Sequence, residues 1–209
     1  MDQSLFRLLL GTNNPGKIKE MSALLTGLPM ELVTPSSISL DLQIEETGDS
    51  YQENAAIKAL TWSSISGLAC LADDSGLEVD ALEGAPGLYS HRFTGNPNTS
   101  DAERRKYLLQ RLGDLPQPWT AIFRCAVAIA IPGQDLIQTT GTCAGEIITK
   151  ERGTFGFGYD PIFQVNGTGK TMAELEMGEK NQISHRARAI LSARTVLEDR
   201  MHHIQRSPD

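Results

Sequence analysis

The stretch of sequence that most constrains the fold is a short run of small and apolar residues followed at once by two carboxylates. Residues 68–72 have the composition of a buried strand, and Asp73, Asp74, Ser75 and Gly76 come next. Adjacent carboxylates at a strand end suit Mg2+, which prefers oxygen ligands, and they equally suit a rigidly held general base. Asp, Ser and Gly are also common in turns, so this stretch alone leaves a plain strand-to-loop turn open.

The bulk composition is that of an ordinary globular domain. The chain has 209 residues, 40% of them hydrophobic, and a formal net charge of −7. It contains no basic stripe and no apolar run near the ~20 residues that span a bilayer, so we expect neither nucleic acid nor a membrane as partner. The first residues lack the basic start of a secretory signal, and the cysteines are few and widely spaced. Buried free thiols in a reducing cytoplasm are the simplest interpretation.

A phosphate-binding loop is predicted near the N-terminus. Residues 5–10 read as an apolar strand, residues 11–17 as a glycine-containing loop, and apolar positions then recur at helical spacing. A loop that leads into a helix N-terminus directs free N–H groups and the helix dipole at an anion. The loop also fits the start of a P-loop, but Ile18 stands where the magnesium-binding Ser or Thr belongs. We interpret it as a phosphate loop that is not a true P-loop, with a plain turn as the alternative.

An acidic segment with Glu45 and Glu46 precedes the second predicted helix. Ser50 and Glu53 have the spacing of a capping box, so this helix should begin directly after Ser50. Lys58 interrupts its apolar face. A lone lysine on a helix is usually a solvated charge, but its place between the acidic segment and the acidic strand also fits contact with a phosphate or a metal ligand.

The remaining pattern predicts helices around a sheet with parallel and antiparallel pairs, an α/β (mixed α+β) architecture. A second capping box, Ser100 with Glu103, should start a charged helix that runs to about Leu112. The other expected elements are strands at 28–38, 77–82, 119–131 and 136–148, the last two as an antiparallel hairpin, a turn at 84–87, helices at 172–182 and from 185 to about 201, and a frayed tail at 202–209.

Two further segments carry residues suited to a planar base. Residues 153–161 interleave glycines with aromatic residues, a composition that neither helices nor core strands favour, and rings on such a loop can stack on a base. A hydrophobic loop packed on the core explains this segment equally well. Ser184 can cap the last helix, which puts His185 and Arg186 in its first turn. Positive charge there opposes the helix dipole unless an anion or a base is bound, so we favour a ligand role.

Taken together, these segments resemble a known enzyme family. The ordered motifs are similar to those of the inosine/xanthosine triphosphate pyrophosphatases, which remove non-standard purine nucleotides, and the similarity extends from about residue 5 to 195. Asn13 departs from the pattern, because many members have glycine at this position. The motifs lie at 12–17, 45–48, 53–58, 72–77, 84–87, 157–161 and 184–186.

The resemblance implies a fold and an activity. The expected fold is an elongated mixed sheet flanked by helices, with a nucleotide cleft between two lobes of one domain over residues 1–209, and the expected assembly is a homodimer. The expected reaction is Mg2+-dependent hydrolysis of ITP, dITP or XTP between the α and β phosphates. It yields the nucleoside monophosphate and pyrophosphate.

The resemblance also implies roles for individual residues. Asp74 would accept a proton from the attacking water, and Glu45 and Asp74 would bind magnesium. Ser75 would touch the substrate. The triphosphate would be held by Thr12, Asn13, Asn14, Pro15, Gly16, Lys17, Lys58 and Lys180. The base would be contacted by Phe157, Gly158, Tyr159, Asp160, His185 and Arg186.

Two other functions stay open at the level of sequence. A P-loop NTPase would use residues 11–17 with Asp73 as the carboxylate on the magnesium side, and it would release orthophosphate. A non-catalytic nucleotide sensor would bind ITP without turnover. The products formed from ITP in the presence of Mg2+ distinguish the three functions.

Overall fold

The computed structural model describes residues 5–96 and 98–206, with side chains through residue 200. Short 3-10 turns connect several of its regular elements. The α-helices are α1 (Pro15–Leu25), α2 (Tyr51–Ser66), α3 (Asp101–Leu112), α4 (Met177–Ile183) and α5 (His185–Arg206). The strands are β1 (Phe6–Leu10), β2 (Met30–Val33), β3 (Ala69–Val79), β4 (Pro86–Gly87), β5 (Trp119–Ala130), β6 (Ile137–Ile147) and β7 (Phe163–Val165).

The strands form one seven-stranded sheet with both parallel and antiparallel pairs. Their order is β2-β1-β3-β5-β6-β7, and β4 pairs with β3. β1 is parallel to β2 and to β3, whereas the pairs β3–β4 and β6–β7 are antiparallel. Only residues 131–136 connect the neighbouring strands β5 and β6, a length typical of a hairpin and too short for a parallel crossover. The predicted mixed α/β sheet is confirmed.

Local signals explain where two of the helices begin. The Ser50 side chain accepts a hydrogen bond from the backbone N–H of Glu53 at 3.1 Å, so α2 begins where the capping spacing predicts. The second bond of the predicted capping box would run from the N–H of Ser50 to the Glu53 carboxylate. The structure differs here, because the Glu53 carboxylate accepts from the N–H of Asp49 at 2.7 Å. At α3 both bonds of the capping box between Ser100 and Glu103 are present.

The acidic strand differs from its prediction. We expected it to end at Asp73 and to resume as a second strand at 77–82, but β3 is continuous from Ala69 to Val79. Strand pairing supplies the reason. β1 pairs with the first part of β3 up to Leu71, and β4 pairs with it again from Leu77, so the polar residues between continue one extended segment. The carboxylates therefore lie within a strand rather than at its end.

Three other boundaries also differ. The strand predicted at 28–38 is only Met30–Val33, because Pro35 lacks an N–H for a sheet hydrogen bond and residues 36–38 form a 3-10 turn. The helix predicted at 172–182 is a 3-10 turn followed by α4, since Glu176 has an extended backbone and starts a new capping box. Helix α5 continues past residue 201 to Arg206, and residues 207–209 of the predicted tail lie outside the described part.

The described residues divide into two compact units, each with its own core. Unit 1 comprises residues up to 74, 126–140 and those from 187 onward, and unit 2 comprises 75–125 and 141–186. A core cluster of unit 1 contains Leu9, Val33, Trp62 and Cys70. A core cluster of unit 2 includes Phe123 and Phe163, whose ring centroids are 4.5 Å apart.

The cysteines agree with the sequence-based prediction. Cys70, Cys125 and Cys143 are all buried and none forms a disulfide. No helix among the described residues is long and apolar enough to cross a membrane.

Candidate active site

The predicted phosphate loop leads directly into the N-terminus of α1. Pro15 occupies the first helical position, where its missing N–H costs no hydrogen bond. The Asn14 side chain caps the helix by accepting from the N–H of Lys17 at 3.1 Å. The hydroxyl of Thr12 accepts from the N–H of Asn14 at 3.2 Å. Side chains of the loop thus fix its own backbone, and its position at the start of a helix favours an anion.

Gly11 lets this loop approach strand β3 closely. A Cβ atom at this position would lie 2.8 Å from the Cys70 sulfur and 2.9 Å from the Trp62 ring. The N–H of Gly11 donates to the carbonyl of Leu71 at 2.8 Å, which continues the pairing of β1 with β3. The loop is therefore tied to the strand that carries the two aspartates.

Five charged residues of unit 1 form a carboxylate–lysine cluster: Lys17, Glu46, Lys58, Asp73 and Asp74. The Lys17 ammonium lies 2.9 Å from an oxygen of Asp73, whose side chain is fully buried. The Lys58 ammonium contacts Glu46 at 2.6 Å and Asp74 at 3.0 Å. Each aspartate of the pair is thus matched with a different lysine, one from α1 and one from α2.

Burial and neighbouring charges shift the pKa values of this cluster. Burial raises the pKa of Asp74, Glu46 raises it further, and Lys58 opposes the shift. Burial alone would raise the pKa of Glu46 too, but Lys58 and Lys17 outweigh it and lower that pKa. Burial alone would lower the pKa of Lys58, but Asp74 and Glu46 raise it. Lys58 therefore stays charged while it is shared by two carboxylates.

A buried amide completes the surroundings of Asp74. The side chain of Asn54 donates to the second oxygen of Asp74 at 3.2 Å. The Asn54 carbonyl oxygen in turn accepts from the N–H of Gly48 at 2.8 Å. A Cβ at Gly48 would come within 2.6 Å of Glu53, so the acidic segment needs glycine there to lie against α2. Asn54 lies in the motif at 53–58, but the resemblance gave it no role of its own.

The two adjacent glutamates of the acidic segment differ in their surroundings. Glu46 is partly buried and contacts Lys58, whereas Glu45 is exposed. The sequence predicted Glu45 as the metal ligand and did not single out Glu46. The alternation of an extended segment puts one of two neighbouring side chains inward, and the sequence alone does not say which.

The donor set of this cluster fits a hard divalent cation. Asp74 and Glu46 supply carboxylate oxygens, and Mg2+ is commonly held in proteins by one or two carboxylates together with phosphate oxygens of the substrate. Among the described residues, no group of three or more His, Cys, Asp or Glu side chains is arranged to hold a metal ion. A pair of carboxylates that needs the substrate to complete the coordination is consistent with both observations.

Unit 2 contains the predicted base-binding residues around the aromatic loop, residues 153–161. Gly156 and Gly158 have positive φ angles of 75° and 62°, which favour glycine. Asp160 accepts from the backbone N–H of Phe157 at 3.0 Å and is paired with the Lys180 ammonium at 2.7 Å. Both charged side chains of this pair are buried. Lys180 was predicted among the phosphate contacts, but its neighbours in unit 2 are residues of the predicted base site.

The two aromatic residues of the predicted base site differ in accessibility. Tyr159 is buried in the core, its hydroxyl donates to the carbonyl of Ser90 at 2.9 Å, and burial raises its pKa. Phe157 is only half-buried. The centroid of its ring is 5.4 Å from the Lys180 ammonium and 5.5 Å from the Arg186 guanidinium carbon. Of the two rings, Phe157 is the one able to stack on a ligand.

The first turn of α5 joins the same region. The His185 ring stacks on Phe123, with centroids 4.6 Å apart and an angle of 11° between the planes. Arg186 donates to the hydroxyl of Ser75 at 2.9 Å. Both His185 and Arg186 are buried, so the positive charge at this helix start is not a solvated surface charge.

Each unit thus carries a coherent part of the predicted site. Unit 1 holds the predicted phosphate loop and the carboxylate–lysine cluster, which are groups of the kind that can bind an anion and a metal ion. Unit 2 holds an aromatic ring, a carboxylate and cations, which are groups of the kind that can recognise a planar heterocycle. A mixed α/β protein with these two groups has the equipment of a nucleotide-processing enzyme.

Comparison with known proteins identifies the family. A sequence model of the Ham1 family matches residues 8–196. A dITP/XTP pyrophosphatase of Geobacter sulfurreducens is 45% identical over 185 residues, which cover 88% of this chain and 92% of that one. One from Desulforamulus reducens is also 45% identical, over 91% of this chain and 95% of its own. The solved structure of a HAM1 protein from Coxiella burnetii has a TM-score of 0.83 and 39% identity, and covers 93% of this chain and 100% of that one. The chain belongs to the Ham1 family.

Proposed function

We propose that this protein hydrolyses the non-standard purine nucleoside triphosphates ITP, dITP and XTP to the nucleoside monophosphate and pyrophosphate. The relatives that match nearly the whole chain are named dITP/XTP pyrophosphatases. The observation that carries the proposal is the pairing of Lys58 with both Asp74 and the partly buried Glu46, in a cluster that also includes Lys17 from the helix that follows the predicted phosphate loop. Such a cluster can bind polyphosphate and a divalent cation together.

The triphosphate is assigned to unit 1. The loop residues Thr12, Asn13, Asn14, Pro15 and Gly16 lead into the positive end of the α1 dipole. Lys17 and Lys58 supply cations that lie beside the carboxylates of Asp73 and Asp74. Phosphoryl transfer depends mainly on positioning and charge neutralisation, and these groups provide both.

Magnesium is the metal that this donor set suits, with Asp74 and Glu46 as the proposed ligands. When bound, the ion would supply Lewis-acid polarisation of the phosphate oxygens. Glu45, the ligand predicted from the sequence, stays a prediction. Because Glu45 is exposed and Glu46 is partly buried, substitution of the two glutamates should affect the Mg2+ requirement of the enzyme differently.

Asp74 is the proposed proton acceptor for the attacking water. Burial and the nearby Glu46 raise the pKa of Asp74, whereas a bound Mg2+ would lower it, so its carboxylate is proposed to stay ionised and to accept the proton only as the water attacks. Hydrogen bonds from Asn54 and Lys58 occupy one position on each oxygen and fix the plane of the carboxylate. Each oxygen keeps further acceptor capacity for a water molecule.

The purine base is assigned to unit 2. Phe157 is proposed to stack on the base, and Asp160 with Lys180, His185 and Arg186 to contact its edge, with Ser75 and Gly158 alongside. Tyr159 contributes by packing in the core rather than by stacking. Donors aimed at a 6-oxo group disfavour adenine, because an amino group there would leave buried donors without an acceptor.

The remaining parts of the proposal concern the setting of the enzyme. We propose a homodimer in the cytoplasm, with a small-molecule substrate and no nucleic acid or membrane partner. The three buried free thiols are consistent with a reducing compartment.

A substrate panel tests the function. Purified protein is incubated with ITP, dITP, XTP, GTP and ATP, with and without Mg2+, and pyrophosphate and orthophosphate are measured separately. We expect magnesium-dependent release of pyrophosphate from ITP, dITP and XTP, with much less from ATP. Orthophosphate with a nucleoside diphosphate would instead indicate a P-loop-type NTPase. Binding of ITP without any turnover would indicate a nucleotide sensor.

A further inference from the structure

The backbone of the aromatic loop is held by two side chains of helix α3. Asp101 accepts a hydrogen bond from the N–H of Gly158 at 2.7 Å. Arg105, one helical turn further on, donates to the carbonyl of the same Gly158 at 2.8 Å. Both polar groups of one loop residue are thus bound by side chains that lie 57 and 53 positions earlier in the chain.

These two side chains are themselves fixed. Arg105 forms a two-pronged ion pair with Glu151, with both nitrogen–oxygen distances at 2.9 Å. Asp101 is paired with Arg104, which also donates to the carbonyls of His91 and Thr99. Burial alone would raise the pKa of Asp101, but the hydrogen bond from Gly158 and the nearby Arg104 lower it. The carboxylate therefore stays ionised and acts as a strong acceptor.

The residue that they hold is the one next to the stacking ring. Gly158 follows Phe157 directly, and its positive φ of 62° sets the direction of the chain between Phe157 and Tyr159. On the other side, Asp160 binds the N–H of Phe157. The backbone on both sides of Phe157 is therefore hydrogen-bonded to carboxylates, and these bonds fix the point from which the ring extends towards Lys180 and Arg186.

We infer that Asp101 and Arg105 form an α3 clamp that positions the aromatic loop for recognition of the purine base. They are positioning residues, since they act through Gly158 and not by contact with the base. The inference rests on the proposed function, which assigns the base to this loop. It predicts that the clamp affects substrate affinity and base selectivity more than the chemical step, which belongs to Asp74 in unit 1.

Steady-state kinetics of clamp variants test this inference. Asp101→Ala and Arg105→Ala each remove one of the two bonds, and Asp101→Asn keeps an acceptor in place. We expect Asp101→Ala and Arg105→Ala to raise KM for dITP about tenfold, with kcat within about twofold, and to lower the selectivity for dITP over dATP. Asp101→Asn should recover most of the loss. Lys106→Ala, which changes an exposed residue of the same helix, is the matched control and should behave as the wild type.

A double variant provides a readout that general destabilisation would not produce. Because both side chains act on Gly158, Asp101→Ala with Arg105→Ala should raise KM by less than the product of the single effects. Effects that multiply fully, or that appear only as a lower thermal midpoint with unchanged KM and selectivity, would contradict the clamp.

Hydrogen–deuterium exchange separates failure of the clamp from failure of the proposed function. The amide of Gly158 should exchange about tenfold faster in Asp101→Ala than in the wild type, whatever the substrate is. If the wild type does not hydrolyse dITP, the function is wrong and the exchange still tests the clamp. If the wild type is active and the Asp101→Ala variant changes neither exchange nor selectivity, the clamp is wrong.

Discussion

The candidate site residues of unit 1 and those of unit 2 are positioned in different ways. In unit 1 the carboxylate–lysine cluster stands largely on regular elements, with lysines on α1 and α2 and aspartates on β3. In unit 2 Phe157 stands on an irregular loop whose shape depends on positive φ angles and on side chains that bind its backbone. The charges proposed to face phosphate and metal are positioned by helices and a strand, whereas the ring proposed to stack on a base is positioned by hydrogen bonds to the loop backbone. We therefore expect mutations in unit 1 to affect the chemical step and mutations in unit 2 to affect affinity and selectivity.

The largest effect should follow from Asp74→Asn. An amide cannot accept the proton from water, so we expect kcat with dITP to fall by about a thousandfold while the fold is kept. Pyrophosphate release and the circular dichroism spectrum are the measurements. Asp135→Asn, a change at an exposed aspartate of the same unit, is the control. Full activity in the Asp74→Asn variant would show that Asp74 is not the proton acceptor.

A paired substitution separates the two candidate metal ligands. Glu46→Gln should raise the Mg2+ concentration needed for half-maximal activity about tenfold or more, because it removes a carboxylate that lies beside Lys58 and Asp74. Glu45→Gln should change it less than about twofold, as expected for an exposed side chain. Magnesium titrations of dITP hydrolysis give both values. A larger effect of Glu45→Gln than of Glu46→Gln would instead support Glu45 as the metal ligand, as predicted from the sequence.

Two phenylalanines of the same loop provide a matched test of stacking. Phe157→Ala should raise KM for dITP about tenfold, since stacking of a base on an aromatic ring contributes on the order of 1–3 kcal/mol. Phe155→Ala should have little effect, because Phe155 is 51% exposed and lies outside the group of Phe157, Lys180 and Arg186. Equal KM values for the two variants would show that the ring of Phe157 does not bind the base. A fall in kcat without a change in KM for Phe157→Ala would contradict the expectation that mutations in unit 2 affect affinity rather than the chemical step.

The smallest expected effect is a pH-dependent one at the α3 clamp. Because the folded-state pKa of Asp101 is lowered, its carboxylate stabilises the fold above the usual aspartate pKa of about 3.9. This contribution is lost as the pH falls through the lowered folded-state value. The difference in thermal midpoint between the wild type and Asp101→Asn should therefore shrink as the pH is lowered from 6 to 3. The decrease should begin near the usual aspartate pKa and continue towards the lowered pKa of Asp101 in the folded protein. A difference that grows on acidification would contradict the lowered pKa.

The same contrast explains how much of the molecule could be read from its sequence. The apolar strands, the capping residues Ser50 and Ser100 and the helix that starts after Asn14 are local signals, and they gave the mixed sheet and most helices correctly. The continuity of β3 through Asp73 was missed, since it depends on pairing with β1 and β4. Short-range composition favours a turn at this place and carries no information about those partners.

The candidate site shows the same limit. Asp74 and Lys58, which are in contact in the structure, were both singled out from the sequence, because adjacent carboxylates and a charge on an apolar helix face are unusual. Glu46 was not distinguished from its neighbour Glu45, and the contact of Arg105 with Gly158 spans 53 positions that no local pattern connects. Such contacts are decided by tertiary packing, which leaves no periodic trace in the sequence.

The buried cysteines give the protein built-in reporters of local opening. Burial raises the pKa of the Cys70 thiol far above its usual range, so this sulfur is protonated and unreactive while it is covered. An alkylating reagent such as iodoacetamide would modify it only in molecules where unit 1 has opened. Cys125 and Cys143 belong to unit 2 and are also buried. The labelling rate of Cys70 can be compared by mass spectrometry with the rates of Cys125 and Cys143. This comparison would show whether the two units unfold together or one before the other.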